Sequence, residues 1–315
     1  MPFNDLVQDF SMNLKEPASA GSTPRVAISP LSWTNDVLED LGGDTPLEQC
    51  LSEASQAGYV GIELGRKFPR EAAVLGPILE RHHLQLASGW YSGFLAERDV
   101  ATEIKEVGTH ASMLKAMGVK VIVYGECGAM VPEAPLDVPM SRRRRLTPAE
   151  MSAYAVRLSE FAQHLLDTHG LKLAYHHHLM MVAETLDEIR ALLEQTSPAV
   201  GLLLDTGHCA AGGFDYRDLI RSFGDRIVHI HLKDIRSDVM RDVRNGDLSF
   251  NAGVLSGMFT VPGDGSVDYS SIAEFVRDTG YVGWIVVEAE QDPAKAPPLA
   301  TVTRARQFIA HLLGQ

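Results

Sequence analysis

VGLLLDTGH (residues 200–208) and RIVHIHLKD (226–234) decide how this chain is read. Each is a short run of Val, Ile and Leu that turns polar at its C-terminal end. A short apolar run bounded by Gly or polar residues reads as a strand, and one buried on both faces belongs in a parallel sheet. Side chains alternate along a strand with period two. In 226–233, Val228, Ile230 and Leu232 suit a helix-facing side, which leaves Ile227, His229, His231 and Lys233 on the other. In 200–207, Gly201, Leu203 and Asp205 share one face, with Asp205 at the rim. Both strands thus carry ionisable groups to one edge of a sheet.

Outward from these two, the same grammar recurs. β-rich runs at 25–30, 60–65, 84–89, 119–126, 171–178 and 283–290 alternate with longer amphipathic stretches. TPLEQCLSEASQAG (45–58) and TPAEMSAYAVRLSEFAQHLLDTHG (147–170) each open with a Thr cap and Pro in the first turn, and each stops at Gly. SIAEFVRDTG (271–280) repeats the pattern. Such alternation predicts an α/β fold: a single closed (β/α)8 TIM barrel over 25–315, with an N-terminal arm at 1–24 and insertions after strand four (128–146) and strand seven (235–266). An open doubly wound sheet usually has a glycine-rich phosphate turn after its first strand. Here that turn is SPLSWTND (29–36).

The net charge of −13 argues against a nucleic-acid backbone as partner, which needs clustered Lys and Arg. SRRRRL (141–146) is a local exception and reads as a solvated loop or subunit contact; a homo-oligomer is one expectation, with the insertions as candidate contacts. No apolar run is long enough to span a membrane. MPFNDLVQDFSMNLKEP lacks the basic and apolar regions of a secretory signal. Cys50, Cys127 and Cys209 are widely spaced and odd in number, as expected of free thiols in a reducing cytoplasm.

In a barrel, functional groups sit at the C-terminal ends of the strands. Strand five ends in AYHHH (174–178), so alternation turns His176 and His178 inward and His177 toward the helices. Strand eight, GWIVVEAE (283–290), presents Glu288 and Glu290. His176, Asp205, His231 and Glu288 then form a mixed nitrogen and oxygen set at one rim. Such a set suits Mn²⁺, Co²⁺, Fe²⁺ or Zn²⁺. Any one of them alone could be an ordinary buried residue, but four at equivalent depth are costly to bury without a cation. Lys233, two residues beyond His231, is a candidate to stabilise an oxyanion or donate a proton. His208 is a candidate to meet substrate or support the metal. Glu63 and Glu126, ending strands two and four, are candidates for substrate hydroxyls or for acid–base work, with pairing to an arginine as the bland alternative. Trp90 and Trp33 offer flat walls for a sugar or cyclitol ring, or simple packing. PGDGSVD (262–268) reads as a structural turn.

DTGH (205–208), HIHLKD (229–234) and the closing glutamate resemble the xylose-isomerase-like barrel superfamily. SPLSWTND, LGGDTPLEQCLSEASQAGYVGIELGRKFP (41–69), SGWYSG (88–93), AYHHH, VGLLLDTGH, FTVPGDGSVDY (259–269) and GWIVVEAEQDPAKAPPL (283–299) are together similar to the inosose dehydratase family. The likeness runs from about Val26 to the C-terminal helix. It implies a lyase that dehydrates a cyclitol ketone, 2-keto-myo-inositol (scyllo-inosose), to a trihydroxycyclohexane-dione, using Mn²⁺ or Co²⁺. Many members of the wider superfamily have a glutamate at the end of strand five, where this chain has its histidine run. The residues are compatible with that chemistry: Glu288, Glu290 or His178 would take the proton α to the ketone, and Lys233 or His208 would protonate the departing hydroxyl. A ketose isomerase or 3-epimerase on the same barrel is the nearest alternative. A metal-dependent endonuclease fits the charge poorly, and a silent sugar-binding protein would not need the acid–base set.

Overall fold

The computed structural model describes residues 24–132 and 134–315. The N-terminal arm expected at 1–24 lies, except for Pro24, outside the described residues. Eight parallel strands close into a barrel: β1 (Arg25–Ile28), β2 (Gly61–Leu64), β3 (Gln85–Gly93), β4 (Val121–Glu126), β5 (Lys172–His176), β6 (Val200–Asp205), β7 (Ile227–Leu232) and β8 (Trp284–Val287). Each pairs with its neighbours in sequence, and β8 returns to β1. Helices cover the outside. Pro148–His169 begins with a reciprocal Thr147–Glu150 capping box and ends at Gly170, whose φ of 67° suits glycine.

The inner face is layered. Ala27, Ala87, Trp284 and Val286 pack together, as do Val123, Ala174 and Leu203. The ionisable side chains lie toward the strands' C-terminal ends. On the outer face Ile28, Tyr175, Leu204, Ile230 and Val287 join the main core with the helices.

Two strands depart from simple alternation, β3 between Leu86 and Gly89 and β7 after Ile227. The β6–β7 register pairs Leu202 with Ile227 but Leu203 with His229, so one residue of β7 is extra. Ile227 therefore joins the outer core, while Val228 packs against the inner layer, the reverse of the expected facing. A bulge shifts the alternation by one residue, so the residues after it keep the expected side. His229 and His231 still face inward, toward Glu63.

The two insertions pack on each other. Pro139 bridges to Ser249, and Ser141 bonds Asp247 through both its N–H and its hydroxyl. Helices Ser237–Asn245 and Phe250–Leu255 build a second apolar cluster in which Leu136, Met180, Met240, Val243, Phe250 and Met258 meet. The arginine run is not uniformly solvated. Arg143 is buried, donating to the Met181 carbonyl at 2.9 Å and Glu188 at 2.6 Å, with Glu184 at 3.2 Å. It staples the first insertion to the loop after β5. Arg142, Arg144 and Arg145 are exposed, with Arg144 beside Glu97 and Glu150. Among the described residues no helix is long and apolar enough to cross a membrane, and all three cysteines are free.

Candidate metal and acid–base site

A cavity of about 600 Å³ opens at the C-terminal ends of the strands. Its ionisable wall includes Glu63, His176, His178, His231, Glu288 and Glu290. The opposite wall is apolar and comes largely from the insertions, with Met130, Val131, Pro132, Leu136 and Phe250. Those apolar residues, and Asp36 at the rim, were not singled out from sequence. Apolar side chains in a Pro-rich insertion were the available signal.

Asp205 is fully buried just behind the ionisable wall, against His176 and His231, and does not itself line the cavity. Its Oδ1 accepts from the His208 N–H at 2.7 Å, which caps the helix Thr206–Gly212 and fixes the carboxylate. Its Oδ2 has no hydrogen-bond partner, yet lies 3.5 Å from His176 Nε2, 3.7 Å from His231 Nδ1 and 3.9 Å from Lys233 Nζ. Glu288 Oε2 is 2.9 Å from His231 Nδ1, without the alignment of a hydrogen bond. Ligand atoms bound about 2.1 Å from one cation stand roughly 3 to 3.5 Å apart. These separations and the unsatisfied buried atoms therefore fit a metal.

His176, Asp205, His208 and Glu288 offer ligand atoms all within 4.8 Å of one another, so His208 competes with His231 for a place in the set. Both ring nitrogens of His208 already have neighbours, the Leu179 N–H at 3.3 Å and Lys233 Nζ at 3.0 Å. His231 Nδ1 has no such bond. We therefore retain His231 beside His176, Asp205 and Glu288.

Lys233 is fully buried and does not line the cavity. Its ammonium binds Glu288 at 2.5 Å and Glu290 at 3.0 Å as well as His208. Burial opposes its charge, but the two carboxylates and Asp205 outweigh that and raise its pKa above the ordinary lysine value. Glu288 is desolvated too, but Lys233 and His231 hold its carboxyl down at about 2. Glu290 moves the other way: burial and the nearby Glu288 anion raise it, and Lys233 offsets only part. Two carboxylates on one ammonium are thus driven apart, the pattern that separates an acid from a base.

His178 packs on His208 with ring centroids 3.8 Å apart. Its Nδ1 donates to the Leu179 carbonyl at 2.6 Å, leaving the lone pair on Nε2. Burial, the neighbouring His176 and Lys233 lower its pKa well below the ordinary histidine value, so the ring is neutral. His177 faces the helices as expected, with Nε2 accepting from the Asp205 N–H at 3.3 Å.

The remaining candidates divide. Trp90 lines the cavity, its ring edge-on to His176 at 5.6 Å. Gly125 admits it, since a Cβ there would meet the indole at 2.1 Å. Trp33 is fully buried away from the cavity and donates to Glu53 at 2.6 Å, a packing role. The turn Pro30–Ser32 carries its indole outward to the first helix. Glu126 also misses the cavity, because it follows Tyr124 on the outer face of β4. It takes bonds from the Tyr124 hydroxyl at 2.6 Å and the Gly128 N–H at 2.8 Å, while burial pushes its carboxyl up to about 7. Glu63 touches the cavity but spends Oε1 on Ser88, His229 and His231. Asp234 is tied up by the amides of Gly263, Gly265 and Val267, so PGDGSVD serves as a structural turn.

Residues 51–312 match the family model described as the xylose isomerase-like TIM barrel. The rhizopine catabolism protein MocC of Rhizobium meliloti is 46% identical over 91% of this chain and 88% of its own. Inosose dehydratase of Bacillus anthracis is 39% identical over 93% of this chain and 98% of its own, and that of Clostridium perfringens 39% identical over 91% and 97%. Among solved structures, the IolI protein with a bound zinc atom superposes with TM-score 0.66 at 18% identity, covering 92% of this chain and 98% of that one. L-ribulose 3-epimerase superposes with TM-score 0.65 at 16% identity, covering 93% and 95%. These two likenesses speak for the fold.

Proposed function

The chain belongs to the xylose isomerase-like TIM barrel family and, within it, to the inosose dehydratases and their relatives, and on that premise we propose that it dehydrates 2-keto-myo-inositol (scyllo-inosose) to a trihydroxycyclohexane-dione with the help of a divalent metal. It is a dehydratase, a carbon–oxygen lyase, on 39% identity to inosose dehydratase over 93% of its length. The individual cyclitol is the finer part of the proposal, since the relative at 46% identity is named for rhizopine catabolism. The observation that carries the metal is the unsatisfied Asp205 Oδ2 facing His176 and His231.

His176, Asp205, His231 and Glu288 would hold the ion, and we favour Mn²⁺ or Co²⁺. When bound, it supplies Lewis acidity to the substrate carbonyl. The remaining work falls to the chain. His178 Nε2, neutral and facing the cavity, takes the proton α to the ketone. Glu290, whose carboxyl keeps its proton more readily than an ordinary glutamate, gives one to the departing β-hydroxyl. Lys233 and His208, behind that wall, hold Glu288, Glu290 and His178 in place. Trp90 and the apolar wall flank the ring and exclude water.

The test is purified protein reconstituted with Mn²⁺ or Co²⁺ and given scyllo-inosose, followed by dione absorbance and product mass, with ketohexoses as controls. Loss of one water is expected. A product of unchanged mass, or turnover of ketohexoses alone, overturns the reading in favour of an isomerase or epimerase.

A further inference from the structure

Glu63 ends β2, on the other side of the barrel axis from the strands that bear the ligand set. Its Oε1 lies 2.9 Å from His229 Nε2 and 3.1 Å from His231 Nε2, and also receives the Ser88 hydroxyl. Three donors thus converge on one carboxylate oxygen, in a residue only 7% exposed. An oxygen so occupied has no capacity left for a substrate hydroxyl.

We propose that Glu63 is a positioning residue that makes His231 a metal ligand by fixing its tautomer, an inference that rests on the metal reading above. A neutral imidazole carries one N–H, and the acceptor it finds decides which nitrogen keeps it. Glu63 holds that proton at Nε2. The lone pair is thereby left on Nδ1, the nitrogen 3.7 Å from Asp205 Oδ2 and 2.9 Å from Glu288 Oε2 that makes no hydrogen bond. His229 and His231 stand two residues apart on β7, after the bulge, and so share the inner face, where one carboxylate reaches both. His229 does not line the cavity. Its place is to share the anchor and fix the Glu63 rotamer. A carboxylate behind a metal-bound histidine typically changes metal affinity about 10- to 100-fold.

The alternatives make different predictions. A carboxylate that merely satisfies two buried histidines would alter stability without altering metal affinity. A substrate contact would alter KM without altering metal affinity. The full chain is therefore titrated with Co²⁺ by calorimetry as wild type, Glu63→Gln and Glu63→Asp. Metal-free melting is recorded for each, and KM for scyllo-inosose is measured at saturating Co²⁺. Glu63→Gln is expected to bind Co²⁺ about 10- to 100-fold more weakly, with KM at saturating metal within a factor of about two. Glu63→Asp, which withdraws the carboxylate by one methylene, should show the same loss and serves if the Gln variant does not fold. Unchanged Co²⁺ affinity in a folded variant overturns the proposal, whether or not KM rises. Failure of the wild type itself to bind Co²⁺ removes the metal reading, and this inference with it.

Discussion

The stem of Lys233 runs across the backbone of Gly207, so that a Cβ built on Gly207 would fall 2.5 Å from Lys233 Cγ and 2.7 Å from its Cβ. The glycine of the T-G-H turn is thus the passage by which a lysine on β7 reaches the two carboxylates that follow β8. Glu288 and Glu290 depend on that passage for their shared counter-ion.

Gly207→Ala is accordingly expected to push Lys233 off its partners. Overpacking at a tight site costs about 1–3 kcal/mol. A lower thermal midpoint should accompany a lower kcat, since Glu288 and Glu290 lose their ammonium together. A variant with wild-type melting and turnover would show that Lys233 has slack.

His178→Gln keeps a polar side chain but removes the imidazole lone pair on Nε2. Loss of a general base typically costs about 10²- to 10⁴-fold. Turnover should fall by that order while bound metal, measured by elemental analysis, stays at the wild-type ratio. Exchange of the substrate α-proton with deuterated solvent should fall in parallel.

Glu290 carries the pH dependence. Its folded pKa lies above the ordinary carboxylate value, so the acid form is present below that pKa and is lost as pH rises through it. The kcat profile should therefore decline on the alkaline side of that pKa. Glu290→Gln should remove that limb and reduce kcat by about 10²- to 10⁴-fold. An unchanged profile in this variant would assign the limb to another group.

Arg143→Met should loosen the insertion that walls the cavity. It leaves Glu184 and Glu188, each about a fifth exposed, without their guanidinium. Stability should fall by about 1–3 kcal/mol, less than for a fully buried pair because both carboxylates keep some water. KM should rise more than kcat falls, because Arg143 touches the wall-bearing loop and not the ionisable wall.

Much of the site was legible because strand alternation is a local rule. Asp205, His231 and Glu288 each follow an apolar run in which every second residue faces the helices, and all three meet at the predicted rim. The same rule, carried through β4, turns Val121 and Val123 inward and Tyr124 and Glu126 outward, so the failure of Glu126 to reach the cavity was also readable. Trp33 was not, because it leaves its strand through a tight turn where no periodicity operates. The bulge that reverses Ile227 and Val228 is likewise invisible in composition, since both residues are apolar and fit either side.

The sequence by itself determined the closed alternation of eight strands and which of their ends carry imidazole and carboxylate groups, since both follow from spacing along one strand or one helix. Only the tertiary structure decided what each ionisable group is free to do. Glu63 is occupied by two histidines, His208 and Lys233 stand behind the wall, and His178 keeps a lone pair toward the cavity. The outcomes at Glu63, His208 and Lys233 depend on partners 25 to 168 residues away that compete for the same few hydrogen-bonding positions. Such competition between distant strands and loops is set by closure of the barrel, and no window of sequence contains it.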